Sequence, residues 1–444
     1  MKRFPAVIAA LVLASVVTAG AAAEECVAPP PPPLRFNTPV FIDQHRGGGE
    51  PVSVVATDGS IIVGAHTGDT HLYLRTIPEA EWYANYRHQS FIWRSTDNGK
   101  TWKRVEFLAA GSAMHSPPTA IGPADPDFAI DSAGNLYETE LEWNVSVAAS
   151  HDNGQTWPDA NPIADVGDRP WVAARGPGEV YLRITGNFQK STDGGATWVA
   201  RTDPPAGGDI WVDPTDPQGL FAPSGSGVGV TFSRNDGQSW STSTIPGATN
   251  RAALDSIAVD AGGWPYVGYA HNDGKMYFSS WNPATQAWAA PMQIPKIGSG
   301  TPIWPWLDAG DAGRVAVGWY EFTPVPGQSG TYAIRVYVAV TTNARGSTFT
   351  CPDGSSIPVA PQFSVADAAG RPIYTGPVPC TGTGCNATGD RRLGDFFTIN
   401  HDQEGRVFVA TGDTTLTNIG DFQYQVSRPL FALAEDDGPR LIEP

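Results

Sequence analysis

The sequence reads as all-β: a seven-bladed β-propeller built from four-stranded antiparallel blades. Three features carry that reading. A short motif recurs four times, a longer strand–turn–strand unit recurs seven times, and the 444 residues include 49 Gly, 40 Pro and 15 Trp. That composition suits short strands and many turns, and no stretch shows the 3.6-residue patterning of an amphipathic helix. Recurrence at a regular interval marks a repeat architecture.

The short motif occupies residues 95–102 (STDNGKTW), 150–157 (SHDNGQTW), 191–198 (STDGGATW) and 233–240 (SRNDGQSW). Its pattern is Ser-x-Asp-x-Gly-x-x-Trp, slipped in the fourth copy. Each copy reads as a hairpin tip. Asp and Ser oxygens accept hydrogen bonds from nearby amides, and Gly supplies the positive φ of a tight turn. On this reading Asp97, Asp152, Asp193 and Asp236 shape turns. Trp102, Trp157, Trp198 and Trp240 are plates that pack between neighbouring sheets. Calcium ligation is disfavoured, because no Glu follows twelve positions after the first Asp of a loop. The copies are also too alike to share one asymmetric chemistry. The motif resembles the Asp-box, or bacterial neuraminidase repeat, of sialidases and many other secreted β-propellers.

The longer unit is an alternating strand, a Gly-containing turn and a second alternating strand. It spans residues 52–64, 127–137, 171–181, 210–221, 256–267, 306–317 and 396–409. Four copies are followed by a clear motif hairpin and a fifth by a decayed one at residues 279–288; residues 336–349 and 424–433 fill the same place in the last two. Two hairpins per copy make a four-stranded blade. Seven copies make seven blades, with the six blades of the sialidase fold as the alternative. Residues 35–43 are expected to pair with the last blade and close the ring, because an open sheet edge is a liability. The expected division is a signal segment at 1–23, a Pro-rich linker at 24–37, one propeller at 38–436 and a tail at 437–444.

Residues 1–23 have the basic start, apolar run and small-residue end of a secretory signal. A secreted or periplasmic location follows, with no membrane insertion. The formal charge is −17, or −19 once Lys2 and Arg3 are removed, which disfavours nucleic acid as a partner. Extracellular glycans or proteins remain as partners, and a monomer is expected. Four cysteines in an exported chain suit two disulfides. Three pairings exist, and the favoured one joins Cys351 to Cys380 and Cys26 to Cys385.

With strands lettered A to D from the axis outward, the motif turns join C to D. The opposite end of each sheet carries the starts of the A strands and the exits of the B strands. Resemblance to propeller enzymes places ligands there. The A-strand starts carry Glu50, Asp125 with Asp127, Asp168 with Arg169, Asp209, Asp255, and Asp395 with Arg391 and Arg392. The B-strand exits carry His66, Glu140, Arg183, Tyr269 with His271, Tyr320 with Glu321, and Asp413. Such a ring of acids is costly unless it holds a cation, pairs with arginines or accepts backbone hydrogen bonds. No cofactor is required, but the ring leaves room for a cation such as calcium. Two long segments, residues 67–90 and 350–394, are expected to rise on this face. Trp82 and Tyr83 in the first suit stacking on sugar rings or a protein partner.

Sialidases add an Arg-Ile-Pro element on the first inner strand, two further arginines that clasp the substrate carboxylate, a Tyr/Glu nucleophile pair and an Asp acid/base. Here the matching position reads Gly49-Glu50-Pro51, a carboxylate where the first arginine belongs. Tyr320 and Glu321 could imitate the nucleophile pair, but adjacent strand residues face opposite ways. Arg169, Arg183 and Arg392 do not assemble into a triad by position. The resemblance therefore implies a glycan- or protein-binding propeller rather than a sialidase. The enzymatic alternative is a glycosidase or polysaccharide lyase using Glu50, Asp168, Arg169, Tyr320, Glu321 or Arg392. A hydrolase would commonly need two carboxylates ~5–9.5 Å apart.

Overall fold

A computed structural model describes residues 26–66, 90–105, 124–141, 145–158, 161–162, 167–205, 207–250, 256–377, 390, 392–416 and 426–443. Seven antiparallel blades follow one another along the chain. Blade one is Gly49–Val55, Ile61–His66, Phe91–Ser95 and Lys103–Val105; blade two is Ala124–Ile130, Leu136–Leu141, Ser146–Ser150 and Asn161–Pro162. Blade three is Trp171–Ala174, Val180–Ile184, Asn187–Ser191 and Val199–Arg201; blade four is Trp211–Val212, Leu220–Pro223, Gly229–Ser233 and Ser241–Thr244. Blade five is Ser256–Val259, Pro265–Ala270 and Met276–Asn282, with Ala287–Trp288 and Met292–Gln293 sharing the outer edge. Blade six is Thr301–Ala309, Val315–Pro324, Tyr332–Thr341 and Ser364–Asp367. Blade seven is Thr398–His401, Val407–Asp413 and Arg428–Leu433, completed by Val40–Phe41 from the N-terminal side.

That last pairing closes the ring. Val40 lies opposite Phe431 and Phe41 opposite Leu430, and the backbone N–H of Asn37 donates to the Leu433 carbonyl at 2.9 Å. The A strands of successive blades touch in a closed circuit, blade seven meeting blade one. Among the described residues there is no single central core. Seven hydrophobic clusters occur among them instead, each chiefly between two adjacent sheets. The count is seven blades, not the six of the alternative.

The Asp-box turns behave as backbone clamps. In the first copy Ser95 Oγ donates to Asp97 Oδ1 at 2.8 Å and accepts the Gly99 amide at 2.9 Å. Asp97 also accepts the Thr101 amide at 2.9 Å and its hydroxyl at 2.5 Å. The Asp152 and Asp193 copies repeat this pattern. Hydrogen bonds from the Thr197 hydroxyl and amide hold Asp193 at a pKa of about 2. Gly99 has φ +78°, and a side chain there would run into the Phe431 ring of blade seven.

The tryptophans reach back to the preceding blade. Trp102 meets Phe431 of blade seven edge-on at 5.2 Å, and Trp240 meets Phe188 of blade three at 5.6 Å. Trp157 packs in the cluster holding Ile62 and Ile92 of blade one, and Trp198 in the one holding Val147 of blade two.

Two details differ from the sequence reading of these turns. In the fourth copy Asn235, not Asp236, takes the turn-shaping position, accepting from Ser233 Oγ at 3.0 Å and the Ser239 amide at 2.9 Å. Asp236 adopts φ 60° and binds Lys190 at 2.9 Å and Arg201 at 3.3 Å. Blade six carries a partial copy, in which Thr341, Asn343 and Ser347 repeat the Ser233–Asn235–Ser239 bonds while Asn343 Oδ1 accepts the Gln362 amide. Its Asn and lack of Trp hide it from a search for the full motif.

Residues 350–394 are not one loop. They include the hairpin strand Ser356–Val359, paired with Ser347–Thr350, and the outer strands Ser364–Asp367 and Tyr374–Gly376 of blade six. The favoured cysteine pairing is overturned as well, because Cys26 bonds to Cys351, with Cα atoms 5.7 Å apart. The N-terminal segment leaves blade seven and runs past blade six, where Pro32 O accepts from Ser364 Oγ at 2.5 Å. That path brings Cys26 to the blade-six hairpin. Cys380 and Cys385 lie outside the described residues, as do residues 67–89 with Trp82 and Tyr83, and also Asp255 and Arg391.

Candidate functional site

Four inner strands open with the same local device. Glu50, Asp125, Arg169 and Trp304 have φ of 48°, 48°, 57° and 48°, and each precedes a proline. A residue before proline is normally held in extended conformations, and a non-glycine residue at positive φ costs about 1–3 kcal/mol. In blades one, two and six the pairing register shifts at this point, between Gly49 and Val52, Ala124 and Asp127, and Ile303 and Trp306. The bulge re-aims the side chain at the start of the strand. The sequence signal was the recurrence of Glu-Pro, Asp-Pro, Arg-Pro and Trp-Pro at equivalent positions, which inspection for acids alone passed over.

Three of these residues meet at the end of the ring opposite the Asp-boxes. Glu50 is fully buried. Its Oε1 accepts the Asp395 amide at 2.7 Å, and its Oε2 accepts the Asp125 amide at 3.3 Å and lies 3.3 Å from His66 Nε2. Glu50 thus ties blade one to blades two and seven. Arg169 Nη2 lies 3.4 Å from Asp395 Oδ2, and its Nε lies 4.0 Å from Asp168. Burial pushes the Asp125 carboxyl well above the usual carboxylate range, and the neighbouring charges of Glu50 and Asp168 push the same way. Glu140 leaves the B strand opposite the Asp125 bulge. Its Oε2 accepts the Ser90 amide at 2.7 Å, its Oε1 has no hydrogen-bond partner among the described residues, and burial raises it to about 7.

The other candidates are placed elsewhere. Asp127 and Asp209 line a cavity of about 200 Å³ on the axis, together with Ser53, Asp308, Thr398 and Asn400. Asp127 accepts the Val172 amide at 2.9 Å, tying blade two to blade three. Asp209 accepts the Trp211 indole N–H at 2.6 Å, and burial raises it to about 7. Toward the mouth, Trp171, Trp306 and Phe396 meet with centroids 5.3–5.9 Å apart. These rings come from blades three, six and seven, and Trp306 also lines the cavity.

Arg392 is buried against Asp390, to which its Nη2 donates at 2.6 Å, and lies over the Tyr374 ring. Asp413 is buried and paired with Arg371 at 2.7 Å. Tyr320 bonds across to Thr411 at 2.6 Å, while Glu321 accepts the Gly300 amide at 2.5 Å, so the two face opposite ways.

No arginine triad forms among the described residues. Arg169 is held by Asp395, Arg392 by Asp390, and Arg183 by Asp203 at 3.5 Å and the Gly208 carbonyl at 3.1 Å. No group of three or more His, Cys, Asp or Glu among the described residues is arranged to hold a metal.

Comparison with known proteins agrees with the turn geometry. The family model of the BNR/Asp-box repeat matches residues 93–104. The chain carries the Asp-box repeat on a seven-bladed β-propeller. A protein described as a sialidase from Bacteroides fragilis is 28% identical to this propeller over 141 residues, 32% of this chain and 22% of that protein. The match thus spans about a fifth of the relative's length. Among solved structures, a GH74 enzyme from Niastella koreensis aligns with a TM-score of 0.48 at 15% identity, over 85% of this propeller and 54% of that chain. The intramolecular trans-sialidase from Ruminococcus gnavus aligns with a TM-score of 0.40 at 11% identity, over 91% and 97%. A protein of unknown function from Dyadobacter fermentans gives 0.43 at 12% identity, over 91% and 99%.

Proposed function

We propose that this Asp-box propeller is an exported protein that binds extracellular glycans at the mouth formed by Glu50, Asp168, Arg169 and Asp395, without cleaving sialic acid. One observation carries the reading. Glu50 stands where the sialidase resemblance puts the first substrate-binding arginine, and both its oxygens are engaged by Asp395, Asp125 and His66. A sialic acid carboxylate brought to this place would meet the buried Glu50 carboxyl where the first guanidinium belongs, while the Arg169 guanidinium is already paired with Asp395, so the contact disfavours binding. The exposed Asp168 and half-buried Arg169 of the mouth suit hydroxyl-rich ligands, which both donate and accept.

The test is a binding panel of neutral, uronate and sialylated oligosaccharides on the mature protein, with and without chelator, alongside an assay for released sugar. Binding of a glycan without release of sialic acid supports the reading. Release of sialic acid overturns it.

A second reading, hydrolysis of a non-sialylated glycan, is favoured by the acids at the blade-two corner. Burial raises both the Asp125 and the Glu140 carboxyls, the environment a general acid needs, and Asp125 adjoins the Glu50 carboxylate through its amide. Appearance of new reducing ends in the same panel, abolished by Glu140→Gln, would favour it.

A further inference from the structure

Blade five carries a second group of side chains at the mouth end, outside the Glu50 network. Tyr269 and Tyr277 lie directly opposite each other on the B and C strands. Their rings stack at 5.7 Å with an interplanar angle of 20°. His271, in the turn between them, stands edge-on to both, at 6.4 Å and 5.4 Å. Asp273 fixes the cluster, accepting from the Tyr277 hydroxyl at 2.9 Å and sitting 3.1 Å from His271 Nδ1. Tyr269 is 2% exposed and anchors the group in the cluster between blades four and five. Tyr277 and His271 are half-buried, Asp273 is exposed, and so is Gln293, which faces Tyr277 on the next strand.

We infer that Tyr277, His271, Asp273 and Gln293 form a sugar subsite that stacks the apolar face of a neutral pyranose ring and orients its hydroxyl groups. This inference rests on the glycan-binding reading and names a subsite on blade five, at the same end of the ring as the mouth. Rigid aromatic side chains give contact area with little entropy to lose, while a carboxylate and an amide beside them accept and donate to vicinal hydroxyls. The order is already built, since Tyr277 and His271 are held by Asp273 before any ligand arrives. A protein partner fits less well. The exposed large aliphatic side chains among the described residues are Val27, Val199 and Ile297, and none belongs to this cluster. A stable protein interface buries ~800 Å² per partner around an apolar centre.

The experiment uses the mature protein and neutral hexasaccharides of glucose, galactose, mannose and xylose, with affinity measured by calorimetry. Tyr277→Ala and His271→Ala are each expected to weaken the best ligand about three- to tenfold, the size of one aromatic contact. Tyr277→Phe keeps the plate and is expected to stay within about twofold. Unfolding midpoints show whether each variant is intact; His271→Ala removes only a half-buried turn residue and keeps the test decisive if Tyr277→Ala is unstable. Unchanged affinity in a folded His271→Ala, with Asp168→Ala weakened, overturns the subsite and leaves the glycan reading standing. Absence of binding by the unaltered protein to any hexasaccharide, sialylated or neutral, overturns both.

Discussion

The Glu50 carboxylate accepts the backbone amide of Asp395 at 2.7 Å, across the seam where blade one meets blade seven. The same side chain holds the Asp125 amide of blade two. One buried acid therefore fastens three blades at the mouth, in a place where the chain also tolerates a left-handed residue before proline. Glu50→Ala would leave the Asp395 and Asp125 amides without their acceptor and His66 without the carboxylate 3.3 Å from its Nε2. Each unmet buried amide costs about 1–3 kcal/mol, so a loss of roughly 2–6 kcal/mol in urea unfolding is expected. An unchanged midpoint would mean that Glu50 is not a fastener.

Stability should fall as pH rises from about 4 toward 8. Burial holds Glu140 and Asp209 at about 7 in the folded chain, above the ~4 of the unfolded chain. The folded state binds these protons more tightly. Their contribution is fully present below the unfolded pKa and is lost as pH rises through the folded one. Glu140→Gln with Asp209→Asn should flatten the decline of the melting temperature between pH 5 and pH 8. The Asp-box acids act in the opposite sense. Asp97, Asp152 and Asp193 are lowered, so their contribution is present above ~4 and fades as pH drops toward 2. A melting temperature that climbs steadily to pH 8 would contradict this balance.

Trp157→Ala should cost about 3–5 kcal/mol, the price of emptying a large core site. Trp157 is 4% exposed and packs blade two on blade one. Chemical denaturation measures the loss, and a change below about 1 kcal/mol would show that the Asp-box plates do not join the blades.

The repeats made the scaffold legible, because a hairpin tip built from Ser, Asp, Gly and Trp works the same way wherever it recurs. Seven strand–turn–strand units and the closing strand from the N-terminal side could be read for the same reason. The site was legible as a set of places rather than as contacts. Glu50, Asp125, Asp168, Arg169 and Asp395 do come together, whereas Asp127 and Asp209 sit in the channel and Arg392 is committed to Asp390. Position along a strand says which end a residue occupies, but a bulge or a neighbouring blade decides what it meets. Cys26–Cys351 shows the same limit, since the path of the N-terminal segment past blade six is a tertiary fact.

Removal of that disulfide by Cys351→Ser should lower stability by about 2–5 kcal/mol, because it closes a very long loop. The segment it ties down also completes blade seven through Val40–Phe41. Hydrogen exchange on residues 36–42 should therefore accelerate in the variant. Unchanged exchange there would show that strand pairing alone secures the closure.

A mouth that binds glycan without sialidase chemistry is tested most directly by calorimetric titration of the mature protein, Asp168→Ala and Arg169→Ala with the best oligosaccharide from the panel, paired with a sialoside-release assay on the same samples. Heat of binding is expected for the unaltered protein, with weakening by about fivefold or more in both variants and no released sialic acid. Full affinity in both variants, or sialic acid released by the unaltered protein, would contradict that reading of the mouth.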